Sequence, residues 1–288
     1  MPSDVAIHGS RVAAGFVAPE ALHIWDVEGT DGIERRAHLF VPSPDSHLPL
    51  VLAPHPFGFS ALGNLFGELA GPRTLVDVAG IAAAARRSRF AVLTVESEGR
   101  RFTGMSVGLP SQLDAYARAL EGVHRLGAPI DTSRVGACGL SMGGQEALML
   151  AIALPGTVHA VAVQNPVTDL LAWYRYLDVR GAAHAQALLE ELGGDPAEVP
   201  EDWASRSPSD QVEALAAAGV PVQIRLNDRD DVVPADSQGR KFGSALLAHG
   251  ADVGVVEDLP SLDPRDPGRS AHEYANWDAM LAWIGERL

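Results

Sequence analysis

The chain has 288 residues, 47% of them hydrophobic, and a formal net charge of −15 at pH 7. This length and composition suit one globular α/β domain, and we expect residues 1–288 to form it. Because an acidic surface repels a phosphate backbone, we expect no nucleic-acid partner.

Rare residue types exclude further classes of protein. The only cysteine, Cys138, cannot form an intrachain disulfide or a cysteine-based metal cage, and we expect it to be a small buried hydrophobe. The only lysine, Lys241, lies in a predicted surface helix, which leaves Schiff-base and P-loop chemistry without its marker. No run approaches about 18 apolar residues, and residues 1–5 lack the pattern of a secretory signal. We therefore expect a cytoplasmic protein with no membrane association, no metal and no organic cofactor.

Short β-rich runs alternate with helical patterns along the chain, which predicts a mostly parallel, twisted α/β sheet with helices on both faces. The predicted strands cover residues 22–27, 36–41, 48–53, 90–95, 135–138, 158–164, 220–226 and 253–256, the first two being antiparallel. The predicted helices cover residues 74–87, 113–126, 144–154, 236–249 and 276–288. A glycine-spaced loop follows the third strand, and residues 167–218 are predicted to form a helical, cap-like insertion.

Residues 139–143 read Gly-Leu-Ser-Met-Gly between a predicted strand and a predicted helix. A nucleophilic serine needs this context, because a tight turn projects its Oγ above the sheet and small neighbours let the strand and helix approach each other. The following helix directs its positive end at a developing oxyanion. The pattern predicts that Ser141 is a nucleophile.

The nucleophile is expected to be followed in the chain by an acid and then a histidine. Asp230 comes just after the strand predicted at residues 220–226, and its Asp-x-x-Val-Pro spacing favours it over Asp228 and Asp231, which we interpret as turn and cap formers. Asp169, just past the preceding strand, is the alternative acid.

The chain has ten histidines, and position singles out His272. It follows a loop rich in Pro, Gly and Ser, residues 264–271, and precedes the last predicted helix. Such a loop can bring an imidazole within hydrogen-bond reach of the serine, so we predict that His272 is the general base. His249 is interpreted as the surface end of a helix.

The loop after the third strand begins His55-Pro56-Phe57-Gly58. In this arrangement that loop supplies one oxyanion N–H and the residue after the nucleophile supplies the other, here Met142. Proline has no N–H, so Phe57 is the predicted first donor and Gly58 is the next candidate. Gly58 is also predicted to contribute to substrate binding. We interpret His55 as bracing the loop.

Together these residues resemble the prolyl-oligopeptidase-like branch of the α/β-hydrolase superfamily over roughly residues 35–288. The likeness includes the Ile-Asp-Thr-Ser-Arg-Val-Gly run before Ser141, and the Glu-Leu-Gly-Gly-Asp-Pro run, Trp203 and Ser207-Pro208 before the acid strand. The chain departs from the branch in having no room for a β-propeller and in lacking the usual His-Gly-Gly-Pro loop. It also differs from the similar-sized dienelactone hydrolases, which use a cysteine nucleophile.

The resemblance implies a Ser-His-Asp triad that forms an acyl-enzyme, and the departures favour carboxylic ester hydrolysis of a small-molecule acyl substrate. A serine peptidase is the alternative, and an acyltransferase or cyclase is a further one. A non-catalytic binding protein would lack part of the triad. Three aromatic residues of the insertion could line an apolar acyl or aryl site or could pack the insertion against the rest of the domain: Trp173, Tyr174 and Tyr176. Glu190 and Glu191 are expected on a solvated face. The sequence leaves the oligomeric state open, including a homo-oligomer.

Overall fold

The computed structural model describes residues 21–43, 47–67, 80–101, 104–257, 272 and 275–288. The loop at residues 264–271, the N-terminal residues 1–20 and the first part of the predicted helix, residues 74–79, lie outside the described residues.

The described residues form an eight-stranded sheet in the order β1-β2-β4-β3-β5-β6-β7-β8. The strands are β1 (Ala21–Glu28), β2 (Glu34–Val41), β3 (Leu48–Leu52), β4 (Ala91–Val95), β5 (Ile130–Leu140), β6 (Val158–Gln164), β7 (Val222–Leu226) and β8 (Val253–Glu257). β1 and β2 are antiparallel, as is the pairing of β2 with β4, while the strands from β4 across to β8 run parallel. β3, β4 and β7 are almost entirely buried, because helices cover both faces of a parallel sheet.

Ten α-helices lie in the described residues. They are α1 (Ala61–Phe66), α2 (Ile81–Ser88), α3 (Pro110–Leu126), α4 (Met142–Ala153), α5 (Leu170–Val179), α6 (Ala183–Leu192), α7 (Pro200–Ser205), α8 (Val212–Ala218), α9 (Lys241–Ala248) and α10 (Trp277–Gly285). Side chains of α3, α4, α8 and α9 form one apolar core with the sheet, and those of α1, α2 and α10 form a second core on the opposite face. A third cluster joins α5, α6 and α7 to Met142 and Val233, so this part of the insertion packs over the carboxyl ends of the strands.

The predicted fold class is confirmed, and each predicted strand has a counterpart in the sheet. The prediction missed α1, which lies in the expected glycine-spaced loop. This helix starts at Ser60, whose Oγ accepts the Gly63 N–H at 2.9 Å, while Glu96 accepts the Ala61 N–H at 3.0 Å. The second contact comes from 35 residues away, so no local pattern could reveal it.

Two further elements differ from prediction. β5 starts at Ile130, earlier than expected, and its pairing with β3 shifts register between Pro49 and Leu50. The helix predicted at residues 236–249 opens with a π-turn, Asp236–Arg240, before α9. Gln238 in that turn is buried and accepts the backbone N–H groups of Thr168 and Asp169, which ties the turn to the segment after β6.

No helix among the described residues is both long enough and apolar enough to cross a bilayer.

Candidate active site

Ser141 occupies the single residue between β5 and α4, with φ 58° and ψ −122°. Left-handed φ is strained for a non-glycine residue and is typical of functional turns. A Cβ added at Gly139 or Gly143 would fall inside 3.0 Å of backbone atoms, those of Gly143 and of Pro54 respectively. The two glycines therefore let β5, α4 and the loop after β3 converge on Ser141. Cys138, just before this turn, is buried as expected, and burial raises the pKa of its thiol.

A chain of two hydrogen bonds joins the three residues that the sequence selected. His272 Nε2 lies 2.9 Å from Ser141 Oγ, and His272 Nδ1 lies 2.7 Å from Asp230 Oδ2. Because a carboxylate only accepts, Nδ1 carries the donated proton and Nε2 is left to accept from the serine hydroxyl. The Val232 and Val233 N–H groups donate to Asp230 Oδ1, both at 2.8 Å, which fixes the carboxylate plane.

The alternative acids and base are engaged elsewhere. Asp169 is the N-cap of α5, where it accepts the Ala172 N–H at 2.9 Å, and it also pairs with Lys241 at 3.0 Å. Asp228 forms an exposed ion pair with Arg240. His249 lies at the exposed end of α9, where its Nδ1 is 2.9 Å from the Ala245 carbonyl oxygen of the same helix.

Two aromatic residues of α5 hold the loop that carries Asp230. Trp173 Nε1 donates to the Val232 carbonyl oxygen at 2.9 Å, and the Tyr176 hydroxyl donates to the Asp231 carbonyl oxygen at 2.6 Å. Trp173 is 4% exposed, so most of its surface packs in the interior. Tyr174 is half-buried, and its ring meets Trp203 edge to face at 5.3 Å. That either ring lines a substrate site stays a prediction.

The loop after β3 passes beside the serine turn. His55 is buried, its Nδ1 donates to the Pro56 carbonyl oxygen at 3.0 Å, and its Nε2 accepts the Ser97 N–H at 2.8 Å. Both ring nitrogens thus brace the loop. Phe57 is half-buried and Gly58 is exposed with φ 80°. Met142 is the first residue of α4, so its N–H has no acceptor within the helix.

The prediction that Glu191 lies on a solvated face is wrong. Its side chain is 0% exposed and forms an ion pair with Arg206 at 2.7 Å, while the Arg100 N–H donates to its other oxygen at 2.6 Å. Arg206 directly follows α7, and its side chain packs against α6. Glu191 and Arg206 therefore meet only when the insertion is folded. Burial raises the pKa of Glu191, and the Arg206 guanidinium opposes that rise. Glu190, by contrast, is half-buried.

Sequence reasoning also missed a buried carboxyl group on the helix that follows Ser141. Glu146 of α4 accepts the Ser106 hydroxyl and, at 3.3 Å, the Gly108 N–H. Burial raises its pKa to about 7. Val107, between those two partners, has φ 45°, and its carbonyl oxygen accepts from Arg206 Nε at 2.8 Å. The signal in the sequence is that Glu146 is the one charged residue in α4, where every other residue except Gln145 is apolar or glycine.

In the described part of the chain, no group of three or more His, Cys, Asp or Glu side chains is placed to hold a metal ion.

The mostly parallel sheet and the strained serine between β5 and α4 are those of an α/β-hydrolase fold. Residues 113–258, about half of the chain, match the model of the prolyl oligopeptidase family. The chain belongs to that family. No curated protein sequence gives a significant match.

Solved structures share the fold at low identity. A puromycin-hydrolyzing peptidase of Mycobacterium tuberculosis is 20% identical with a TM-score of 0.67, covering 93% of this chain and 39% of that one. An S-formylglutathione hydrolase from Agrobacterium tumefaciens is 18% identical with a TM-score of 0.61, covering 98% and 99%. A thermostable carboxylesterase from a metagenomic library is 16% identical with a TM-score of 0.63, covering 99% and 91%. The chain spans only 35–39% of the length of several peptidases that it matches.

Proposed function

We propose that this member of the serine hydrolase superfamily is an esterase that cleaves carboxylic esters of small molecules through an acyl-enzyme. The observation that carries the proposal is the hydrogen-bonded sequence Ser141 Oγ, His272 Nε2, His272 Nδ1 and Asp230 Oδ2, with distances of 2.9 and 2.7 Å. An imidazole that donates to a buried carboxylate and accepts from a serine hydroxyl is arranged for nucleophilic catalysis.

Each member of this sequence has a separate task in the proposed cycle. His272 removes the Ser141 proton as Oγ attacks the ester carbonyl carbon, and then gives that proton to the departing alcohol. Asp230 holds the Nδ1–H tautomer and stabilises the imidazolium. A water molecule, deprotonated by His272, attacks the acyl-enzyme and releases the acid.

Negative charge develops on the carbonyl oxygen during both attacks. The Met142 N–H at the start of α4 and the Phe57 N–H in the loop after β3 are the proposed donors to that oxygen. Their support is positional, since the loop lies against Gly143 in the same turn as Ser141. The positive end of α4 adds to the same stabilisation.

Family membership makes a serine peptidase the second candidate. Such an enzyme needs to hold the amino end of its substrate, commonly with a carboxylate, because an amide must be aligned closely before its leaving group departs. Glu191 is engaged by Arg206 and fully buried, so it is not placed to bind an amino terminus. An ester with a good leaving group has less need of such a contact, which favours the esterase proposal.

The first test is covalent labelling. A fluorophosphonate probe should label the wild-type protein once, at Ser141, and should not label Ser141→Ala. Ser133→Ala, which changes an exposed serine at the start of β5, is the matched control and should label fully. Labelling at another residue, with ester hydrolysis surviving in Ser141→Ala, would remove the proposed nucleophile.

The second test separates ester from peptide hydrolysis. kcat/KM is measured for p-nitrophenyl acetate and butyrate and for alanyl-prolyl and glycyl-prolyl p-nitroanilides, with Ser141→Ala as the blank. We expect a clear preference for the esters. A preference for the anilides would replace the esterase proposal with the peptidase.

A further inference from the structure

His184, the second residue of α6, brings an imidazole over the proposed oxyanion loop. Its ring meets the Phe57 ring edge to face, with the centroids 5.0 Å apart and an interplanar angle of 76°. The residue is half-buried. The insertion therefore contacts the catalytic layer at the loop that supplies a proposed oxyanion donor.

The helix that carries His184 also packs against the residue after the proposed nucleophile. Ala185 and Leu188 of α6 share one apolar cluster with Met142. His184 therefore lies on the side of the Ser141 turn that α6 covers, next to the loop that carries Phe57. Burial lowers the pKa of His184, and the charge of His272 lowers it further.

Among the described residues, nothing forms a hydrogen bond with His184 Nδ1 or Nε2, unlike the ring nitrogens of the other histidines at this site. Both nitrogens of His55 and both nitrogens of His272 are bonded. A half-buried imidazole loses hydration without gaining a protein partner, a loss that a bound ligand can offset.

We infer that His184 is a specificity residue, which forms a hydrogen bond with an uncharged oxygen of the substrate a few atoms from the scissile carbonyl. The preferred substrates are then esters with an ether, hydroxyl or second carbonyl group near the reacting bond, rather than plain alkyl esters. A neutral imidazole offers one donor and one acceptor, which matches such groups. The lowered pKa keeps His184 neutral, and the net charge of −15 disfavours anionic substrates. The inference rests on the proposed esterase function and narrows its substrate class.

The test uses ester pairs of equal size that differ in one atom. On the acyl side, p-nitrophenyl methoxyacetate is compared with p-nitrophenyl butyrate; on the alcohol side, 2-methoxyethyl acetate is compared with butyl acetate. Each polar-to-apolar ratio of kcat/KM in a variant is divided by the same ratio in the wild type. Intrinsic reactivity cancels in that quotient.

Two substitutions separate hydrogen bonding from packing. His184→Phe keeps an aromatic ring against Phe57 and removes both nitrogens, while His184→Gln keeps a donor and an acceptor. His249→Phe, at the exposed end of α9, is the matched control and should leave both ratios unchanged. Circular dichroism and thermal unfolding establish that each variant is folded.

We expect His184→Phe to lower the polar-to-apolar ratio about three- to tenfold in at least one pair, the size of one neutral hydrogen bond, and His184→Gln to retain more of it. A purely structural role would slow both esters of a pair equally. Unchanged ratios in both pairs, with hydrolysis still dependent on Ser141, would overturn the inference and leave the esterase proposal intact. A wild-type protein that hydrolyses none of these esters would overturn both.

Discussion

Asp230→Asn is the substitution whose effect follows most directly from the geometry. It exchanges one oxygen for an amino group of nearly the same size. Oδ1 accepts the N–H groups of Val232 and Val233, both at 2.8 Å, so the asparagine oxygen must stay at that position. The new NH2 group then takes the place of Oδ2, 2.7 Å from His272 Nδ1.

Two donors would face each other across that distance. The imidazole relieves the conflict by moving its proton to Nε2, and Nδ1 then accepts from the asparagine. Nε2–H now donates to Ser141 Oγ and has no lone pair left for the serine proton. Loss of the correct tautomer lowers kcat on the order of 10⁴-fold, equivalent to about 5 kcal/mol in the activation free energy.

The assay is kcat for p-nitrophenyl butyrate at one pH, with Asp169→Asn as the matched control. Asparagine is as good an N-cap as aspartate, and the exposed pair with Lys241 contributes at most about 1 kcal/mol to stability, so the control should retain near wild-type activity. An Asp230→Asn protein within tenfold of the wild type would refute the reasoning. So would an Asp169→Asn protein that is the more impaired of the two.

Three further predictions follow from the site. His272→Ala should abolish most activity, because Ser141 then has no base to accept its proton; a variant that keeps wild-type kcat/KM would count against His272 as base. Burial raises the pKa of Glu146 from 4.5 to about 7, so its proton stabilises the fold below about pH 4.5 and that stabilisation is lost as pH rises through 7. Glu146→Gln should therefore gain up to about 3 kcal/mol relative to wild type between pH 5 and 8 in urea unfolding, whereas a constant difference would contradict the raised pKa. In Gly143→Ala the new methyl group would overlap the Pro54 carbonyl oxygen. The substitution should therefore lower activity at least about tenfold and lower the melting temperature by several degrees. A fully active variant would show that the turn has room for the methyl group.

The parts of the fold that were predicted correctly are those that short stretches of sequence determine. Strands such as Val158–Gln164 are mostly apolar runs with breakers on both sides, and Gly139, Ser141 and Gly143 follow one another at fixed spacing. Asp230 was chosen by its position after a strand, and the structure brings it to His272 although the two are 42 residues apart.

The parts that were missed depend on partners distant in sequence. Glu191 looks like any helix-surface glutamate until Arg206 folds back on it from 15 residues away. His184 belongs to no motif, and its place is set by how α6 docks on the loop that carries Phe57. Neither local periodicity nor spacing contains that information, because both describe a single element rather than the docking of two.

The buried pair of Glu191 and Arg206 couples the unfolding of the insertion to the unfolding of the sheet. Arg206 also donates to the carbonyl oxygens of Ser106 and Val107. One guanidinium therefore forms hydrogen bonds with both the insertion and the strained segment before α3. Detaching α6 would leave an unpaired charge in the interior, which costs about 3–5 kcal/mol. That cost is a large part of the free energy of unfolding of a typical domain, about 5–15 kcal/mol. The insertion is therefore expected to unfold together with the sheet. Backbone amides of α6 should exchange with deuterium at rates close to those of α4, and limited proteolysis should not release α5 to α7 as a fragment.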